Sequence, residues 1–258
     1  MVRSNLSLIV LSRNRQLKEN KVKFMKSAII IAGGAGLRLM PLTQDVPKTL
    51  VDIGNHPILY WIVKWLKRHG IDHLVIGVAY KKEKIFDFIR QNDGFGIKVD
   101  FSEHTVEGGT AEAFRRAMRF VDDDNFIAMN SDEITNLDIR RFEEKHLLAD
   151  PIITMATAKY RAKLSAVKID GDGFVRSFVY GPEVPSFDVS TGIYIFNKRI
   201  KEMIPENGSI ENTVFVNATS SHNVLACPLL PSETWVTVNN LKELKEAEDF
   251  VRREYGEL

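Results

Sequence analysis

The sequence predicts an α/β fold in which a mostly parallel sheet is flanked by helices, with an antiparallel extension in the C-terminal half. Apolar strand-like runs alternate with helical segments from residue 27 onward, and this alternation is typical of crossover connections between parallel strands. The first run is continuously apolar at residues 28–31, as expected of a strand that is covered on both faces. After Pro151 short turns join the runs instead, which favours antiparallel pairing.

The predicted elements of the first half follow one another in a regular order. Strands are expected where apolar residues are contiguous, at residues 27–32, 73–79, 97–101 and 126–129. Helices are expected where apolar residues recur every three or four positions, at residues 56–69, 83–91 and 110–121. These helices are suited to connect neighbouring parallel strands across one face of a sheet.

The second half is predicted to contain more strands than helices. The expected strands lie at residues 152–157, 166–169, 173–179, 191–196 and 235–238. A final helix is expected from Asn240 to about Tyr255, because the Asn240 side chain can accept hydrogen bonds from the first free N–H groups of a helix. Residues 1–24 precede the first predicted strand, and we interpret them as an N-terminal extension or an artefact of start-site assignment.

The composition argues against several functional classes. The 258 residues include 35 Lys and Arg and 34 Asp and Glu, so the net charge of +1 gives no broad positive field for nucleic acid. The single cysteine, Cys227, provides neither an intrachain disulfide nor a thiolate cluster for a metal. No apolar run reaches the roughly 18 residues of a membrane span. We therefore predict a cytoplasmic protein without membrane or nucleic-acid partners.

A glycine-rich loop follows the first predicted strand, in the run IIAGGAGLRLMPLT at residues 30–43, with Pro-Lys at 47–48. Glycines in this position let backbone N–H groups turn toward an anion. Arg38 and Lys48 add positive charge, which suits a triphosphate or a departing pyrophosphate. The loop residues predicted to contact a nucleotide are Ala32, Gly33, Gly34, Ala35 and Gly36.

Two other phosphate-binding loops fit the same run less well. A P-loop ends in Gly-Lys-Ser/Thr, which is absent here. A dinucleotide fingerprint would place its third small residue at Leu39 and would contain Arg38, although Asp52 lies at the distance of a ribose-binding carboxylate. A purely structural glycine turn leaves the two basic residues unexplained. The run therefore favours a nucleoside triphosphate.

The loop resembles the opening motif of the sugar-phosphate nucleotidyltransferase family, also called nucleotide-sugar pyrophosphorylases. That motif reads Ala-Gly-Gly-x-Gly-Thr/Ser-Arg-Leu-x-Pro-Leu-Thr and is followed by Pro-Lys. Further landmarks of the family occur in order as EGGTA at 107–111, NSD at 130–132, STGIY at 190–194, SIE at 209–211 and Trp235. The resemblance covers residues 25–258 and is to a short form without a C-terminal β-helix domain.

The resemblance implies a Rossmann-like mixed sheet of the nucleotide-diphospho-sugar transferase type, and it implies an activity. A sugar 1-phosphate, or a related phosphorylated polyol, attacks the α-phosphate of a nucleoside triphosphate and releases pyrophosphate, while Mg²⁺ holds the phosphates. Residues 25–135 would form the nucleotide-binding half and residues 136–258 the acceptor-binding half. The oligomeric state stays open, and a homo-oligomer is compatible with the sequence.

The resemblance also assigns roles to individual residues. Arg38 would bind the β- and γ-phosphates, and Lys48 would stabilise the charge that grows near the α-phosphate. Asp132 ends a predicted buried strand, where it would hold the metal ion or, in the alternative, cap the next turn. The acceptor would contact Ser190, Gly192 and Tyr194.

Recognition of the base is expected from the backbone of residues 32–34. The resemblance implies a second base contact at Glu103, five residues before Gly108, which is also expected to bind the nucleotide. An ionised carboxylate only accepts hydrogen bonds, so Glu103 suits the N1–H and N2–H₂ edge of guanine better than uracil or thymine. This comparison favours GTP. The alternative, in which Glu103 is a surface residue after its strand, remains open.

The sequence departs from the family pattern in its acceptor half. The usual Phe-x-Glu-Lys-Pro, whose Glu and Lys hold the sugar hydroxyls and phosphate, reads FVYGP at 178–182. Thr237 stands where the family has a metal-binding Asp, and Asn239 offers only a neutral carbonyl. Leu37 and Ser131 replace the usual Thr/Ser and Gly. Two alternatives to a nucleotidyltransferase therefore stay open: a silent nucleotide-sugar-binding regulatory subunit, or a glycosyltransferase on the same scaffold.

Overall fold

The computed structural model describes residues 24–160, 165–180 and 186–256. Of the predicted extension only Phe24 falls in these ranges, and residues 181–182 of the FVYGP stretch also lie outside them. The strands are β1 (Ser27–Ile31), β2 (Asp52–Ile53), β3 (His56–Pro57), β4 (His73–Val78), β5 (Lys98–Glu103), β6 (Asn125–Asn130), β7 (Glu133–Thr135), β8 (Ile153–Tyr160), β9 (Ala166–Ile169), β10 (Val175–Val179), β11 (Phe187–Asn197), β12 (Val224–Pro228) and β13 (Trp235–Thr237). The α-helices are α1 (Ile58–Arg68), α2 (Lys82–Gln91), α3 (Gly109–Ala117), α4 (Ile139–Ala149), α5 (Val216–Ser220) and α6 (Leu241–Tyr255).

Seven strands form the central sheet in the order β12-β8-β11-β6-β1-β4-β5. Strand β1 pairs in parallel with β4 and β6, and β4 pairs in parallel with β5. Strand β11 runs antiparallel to both β6 and β8 and so joins the C-terminal extension to the parallel part. This topology confirms the predicted α/β fold with its antiparallel extension.

Helices cover both faces of the sheet, which explains why β1 is continuously apolar. Ile30 packs into a buried cluster with residues of α1, α2 and α6. Its neighbour Ile29 packs on the other face with residues of α3 and of the segment 214–218. Successive side chains of a strand point to opposite faces, so both must be apolar here. No helix within the described ranges is long and apolar enough to cross a membrane.

Helices α4 and α5, strand β12 and the short strands β2, β3 and β7 have no counterpart among the predicted elements. The N-cap of α4 is Asp138, whose carboxylate accepts a hydrogen bond from the backbone N–H of Arg140 at 2.9 Å. The helix buries only Ile139, Phe142, Glu143 and His146, two of which are polar, so its apolar periodicity is weak in the sequence. The predicted cap of the last helix is confirmed, because Asn240 accepts from the N–H groups of Lys242 and Glu243 at 3.0 Å each.

Helix α4 carries a buried acid that holds the start of β1. A carboxylate oxygen of Glu143 accepts a hydrogen bond from the backbone N–H of Met25 at 2.6 Å, and the residue is 3% exposed. Burial is the main cause that raises the pKa of Glu143 to about 7, partly opposed by the Met25 hydrogen bond. A carboxyl whose pKa is higher in the folded than in the unfolded state stabilises the fold when protonated. That contribution is complete below the unfolded-state pKa and is lost as the pH rises through about 7.

We expect Glu143→Gln to be more stable than the wild type at high pH, because the amide oxygen still accepts from Met25 but cannot ionise. The advantage of the variant in the free energy of unfolding should grow by about 2 kcal/mol between pH 5 and pH 8. Urea unfolding of both proteins at the two pH values measures this difference. An advantage that is the same at both values would show that ionisation of Glu143 does not destabilise the fold.

Candidate functional site

A cavity of about 610 Å³ opens at the C-terminal ends of β1 and β6. This is the edge of a parallel sheet at which ligands commonly bind, because loops from neighbouring strands diverge there. The wall is formed by the loop after β1, the residues after β6, the start of α3, and the segments that carry Glu211 and Asn239. The polar and charged side chains on it are Arg38, Lys48, Thr110, Asn130, Ser131, Asp132, Glu211 and Asn239.

The glycine-rich loop folds back on itself beside this cavity. Gly36 has a φ of 64°, in the left-handed region, and a Cβ added there would lie 2.8 Å from the Cβ of Lys48 and 2.9 Å from the Cγ2 of Thr43. The Thr43 hydroxyl donates to the Gly36 carbonyl at 2.9 Å. The absence of a side chain at Gly36 therefore lets the Pro47-Lys48 segment approach the turn, which accounts for the spacing of these residues in the sequence.

Arg38, Lys48 and Asp132 meet at the cavity through Asn239. The Lys48 ammonium donates to Asp132 Oδ2 at 2.5 Å and to Asn239 Oδ1 at 2.9 Å. Arg38 Nη2 donates to the same Asn239 oxygen at 2.6 Å. The side chains of Lys48 and Asp132 are only 14% and 19% exposed, so their attraction is weakly screened by water. Two cations and one carboxylate thus share a single hydrogen-bonded cluster.

Asn239 has a larger part in this cluster than the sequence predicts. Its backbone N–H donates to Glu243 Oε2 at 2.7 Å, and its Nδ2 donates to Thr237 Oγ1 at 2.8 Å. These contacts turn Oδ1 toward Arg38 and Lys48. A signal was present, because Asn239 lies between the family-like Trp235 strand and the capped start of α6, where a polar side chain reaches the edge of the sheet.

A buried carboxyl group lies beside Thr237. Trp235 Nε1 donates to Glu133 Oε2 at 2.7 Å, and Thr237 Oγ1 donates to Glu133 Oε1 at 3.4 Å. Burial, and then the negative charge of Asp132, hold the pKa of Glu133 well above its usual range. The protein therefore has a carboxyl group next to the position at which the family pattern has an aspartate, but on the opposite strand of the β7–β13 pair.

The three predicted acceptor residues lie together on β11, around an irregularity in its pairing with β8. Ser190 Oγ and the Tyr194 hydroxyl are 3.1 Å apart, and burial raises the pKa of Tyr194 above its usual range. A Cβ added to Gly192 would lie 2.8 Å from Glu133 Oε1. Gly192 thus lies against the Glu133 side chain, and none of the three residues is part of the wall of the 610 Å³ cavity.

The end of β5 presents His104, rather than Glu103, to the glycine-rich loop. The Glu103 carboxylate is exposed and accepts from the Lys82 ammonium at 2.6 Å. His104 packs against Gly33 so closely that a Cβ added there would be 2.3 Å from its Nε2, and burial lowers the pKa of the imidazole. Side chains alternate along a strand, so His104 lies on the same face as the buried Ser102, and Glu103 lies on the other face.

The loop between β5 and α3 is fixed by Glu112. One of its carboxylate oxygens accepts from the N–H and the hydroxyl of Thr105 at 2.9 and 2.8 Å. The Thr105 hydroxyl in turn accepts from the Gly108 N–H at 3.0 Å. A Cβ added to Gly108 would lie 1.8 Å from the same Glu112 oxygen. Gly108 is therefore packed within the loop, and its backbone is held in one conformation.

The oxygens of Asp132 and Asn239 fit a hard divalent cation. Both converge on one point, since both accept from the same Lys48 nitrogen. Mg²⁺ is commonly held by one or two protein oxygens together with waters and substrate phosphates. Among the described residues, no group of three or more His, Cys, Asp and Glu side chains could hold a metal ion. A cation here would therefore take its remaining ligands from a nucleotide and from water.

Sequence comparisons relate this chain to enzymes that act on sugar phosphates. A profile described as nucleotidyl transferase matches residues 27–254. The mannose-1-phosphate guanylyltransferase catalytic subunit beta of Drosophila pseudoobscura pseudoobscura is 30% identical over 223 residues, which are 84% of this chain and 60% of that protein. The UTP–glucose-1-phosphate uridylyltransferase of Synechocystis is 28% identical over 196 residues, with coverages of 69% and 50%.

A third relative, the D-glycero-alpha-D-manno-heptose 1-phosphate guanylyltransferase of Aneurinibacillus thermoaerophilus, is 30% identical over 177 residues, with coverages of 68% and 76%. The chain thus spans between half and about three quarters of the length of these relatives.

Solved structures share the fold. HddC from Yersinia pseudotuberculosis superposes with a TM-score of 0.69 at 24% identity, covering 88% of this chain and 99% of that one. The complex of the same protein with GMP-PN gives 0.68, with the same identity and coverages. A UDP-glucose pyrophosphorylase bound to UDP-glucose gives 0.67 at 14% identity, covering 90% of this chain and 100% of that one.

Proposed function

Because this chain belongs to the nucleotidyl transferase family, we propose that it transfers a nucleotidyl group from a nucleoside triphosphate to a sugar 1-phosphate or a related phosphorylated polyol. An oxygen of the acceptor phosphate attacks the α-phosphorus, the bond from that phosphorus to the β-phosphate oxygen breaks, and pyrophosphate leaves. The observation that carries the proposal is the convergence of Arg38, Lys48 and Asp132 on one cavity at the edge of the parallel sheet. We expect the reaction to take place in the cytoplasm.

The basic side chains of Arg38 and Lys48 supply most of the catalysis in this proposal. Phosphoryl and nucleotidyl transfer require alignment and charge stabilisation rather than covalent help from the protein. Arg38 is exposed on its loop and binds the β- and γ-phosphates, where negative charge collects on the leaving group. Lys48 lies deeper and stabilises the charge that grows at the α-phosphate. N–H groups of residues 32–36 orient the nucleotide.

Asp132 and Asn239 would hold Mg²⁺, which neutralises phosphate charge when it is bound. Asp132 is the charged ligand of the pair, and Asn239 adds a neutral oxygen. Glu243 and Thr237 fix the orientation of Asn239 through its N–H and its Nδ2. The protein part of this site therefore remains usable although Thr237 replaces the aspartate of the family pattern.

The acceptor has room in a second cleft of about 780 Å³. Its wall includes Thr237, whose hydroxyl accepts a hydrogen bond from Asn239. Tyr160, Trp235 and the basic residue Lys242 lie on its wall; a second lysine there, Lys159, is paired with Asp188, and three glutamates also line the cleft. Gly192 lies beside Glu133, whose carboxyl group contacts the cleft residues Trp235 and Thr237. In this arrangement residues 25–135 supply most of the nucleotide site, with Asn239 added from the second half, and residues 136–258 bind the acceptor.

GTP is our first choice of donor, since two of the three relatives named above are guanylyltransferases. The ring of His104 packs against Gly33, at the loop whose backbone faces the base. An uncharged imidazole can stack on a purine or exchange a hydrogen bond with its edge.

We expect His104→Ala to raise the KM for GTP by roughly tenfold, because stacking on a base contributes about 1–3 kcal/mol. The matched control is Glu103→Ala, which removes the adjacent exposed side chain and should leave the KM within about twofold. Steady-state rates with GTP and UTP measure both variants. A change in the preference for GTP over UTP in Glu103→Ala alone would favour the carboxylate as the base-reading group instead.

The experiment that tests the function measures pyrophosphate release from GTP, UTP, dTTP, ATP and CTP, each with mannose, glucose and heptose 1-phosphates. We expect release that requires both substrates and Mg²⁺. Tight binding of a nucleotide sugar without release from any pair would favour a silent regulatory subunit, for which the neutral Thr237 is the supporting observation. Transfer from a nucleotide sugar to a hydroxyl without pyrophosphate would favour a glycosyltransferase.

A further inference from the structure

The Lys48 ammonium lies between two oxygens that the proposed function gives to a metal ion. It is 2.5 Å from Asp132 Oδ2 and 2.9 Å from Asn239 Oδ1. We propose that Lys48 is an internal counter-ion, whose ammonium takes the place of the divalent cation in the nucleotide-free protein and is displaced far more readily by a metal–nucleotide complex than by the metal ion alone. The inference rests on the proposed function and adds an order of binding to it.

Electrostatics makes the two cations exclusive. An ammonium and a divalent ion on the same pair of oxygens would repel one another over a few ångströms, in a place where Lys48 and Asp132 are largely shielded from water. Arg38 adds a second positive group on the same Asn239 oxygen. Asp132 is therefore already paired with Lys48, and the Asn239 oxygen accepts from both Lys48 and Arg38, so a free metal ion must displace Lys48 to gain a ligand.

A bound triphosphate removes this competition. Its oxygens carry several negative charges and accept hydrogen bonds from both cations of the cluster. The flexible four-carbon stem of lysine allows the ammonium to move to a phosphate without a change in the backbone. Asp132 and Asn239 are then free for the metal ion, which is also held by the same phosphates. The metal thus enters with the nucleotide rather than before it.

The test measures binding of Mn²⁺ alone to nucleotide-free protein, by the loss of the electron paramagnetic resonance signal of the free ion. We expect Lys48→Met to bind Mn²⁺ tighter than the wild type by on the order of tenfold, because the competing ammonium is gone. Lys48→Arg keeps the charge and should bind as weakly as the wild type. Adding Asp132→Asn to Lys48→Met should abolish the gain.

Equal affinity of the wild type and Lys48→Met would overturn the proposal, as would a gain that survives Asp132→Asn. The wild type provides a second measurement that needs no variant. Acetylation of Lys48 relative to the exposed Lys84, followed by mass spectrometry, should accelerate when Mn²⁺ saturates the protein, and an unchanged rate would also overturn the proposal. Failure of pyrophosphate release with every substrate would refute the function without altering these binding results.

Discussion

Arg38→Ala is expected to lower kcat for pyrophosphate release by about two to three orders of magnitude, the usual cost of removing one group that stabilises charge in a transition state. The guanidinium projects from a loop into the cavity and donates to Asn239 across it. Since the side chain is exposed, the melting temperature should change little. Steady-state kinetics and a thermal melt on the same preparation separate the two effects.

Arg38→Lys is the matched variant, because it keeps the charge but loses the planar fork that can bind two phosphate oxygens at once. We expect it to recover part of the lost kcat. A kcat of the alanine variant close to that of the wild type would remove Arg38 from the mechanism. A large loss in both variants together with a lower melting temperature would instead assign it a role in holding the loop.

Gly109→Ala is expected to destabilise the fold by about 3 kcal/mol, combining backbone strain with steric overlap. Gly109 has a φ of 66°, and a Cβ there would lie 2.5 Å from the backbone carbonyl oxygen of Gly208. That oxygen cannot easily retreat, because it also accepts from the Ala111 N–H at 2.8 Å. The contact joins the start of α3 to the segment that carries Glu211.

The matched control is Gly171→Ala, at a position where an added Cβ meets nothing within 4 Å. Urea unfolding of the two variants should show a loss of stability in Gly109→Ala and almost none in Gly171→Ala. Similar free energies of unfolding in both would mean that the Gly208 segment moves aside at low cost.

The strands and helices of the central sheet could be predicted because each is recognisable from its own short stretch of sequence. Each parallel strand is a short apolar run, and the helices between them repeat at a different period, so both element types can be read without knowledge of their partners. Helix α4 was not predicted because two of its four buried residues, Glu143 and His146, are polar, which weakens its apolar periodicity. Its capping residue, Asp138, was the stronger signal.

The site was predictable to the extent that its residues share a contiguous motif. Arg38 and Lys48 occur in one run, whereas Asn239 belongs to no phosphate-binding pattern and reaches them only through the tertiary structure. In the same way, Thr237 looks like a simple loss in the sequence. Its pairing with Glu133 across β7 and β13 becomes visible only when the two strands are placed side by side.

The cluster that links Arg38 to Asn239 also determines when the site can come into existence. These residues are 201 positions apart in the chain, and Lys48 and Asp132 are 84 apart. At typical rates of translation, roughly 10–40 s pass between synthesis of the first and the second member of the longer pair. During this time the nascent chain carries a complete glycine-rich motif, but its two cations lack the oxygen that holds them together. A chain released before residue 239 is therefore expected not to consume nucleotides, because its site lacks the Asn239 side chain. The site is complete only after synthesis has passed the start of the last helix.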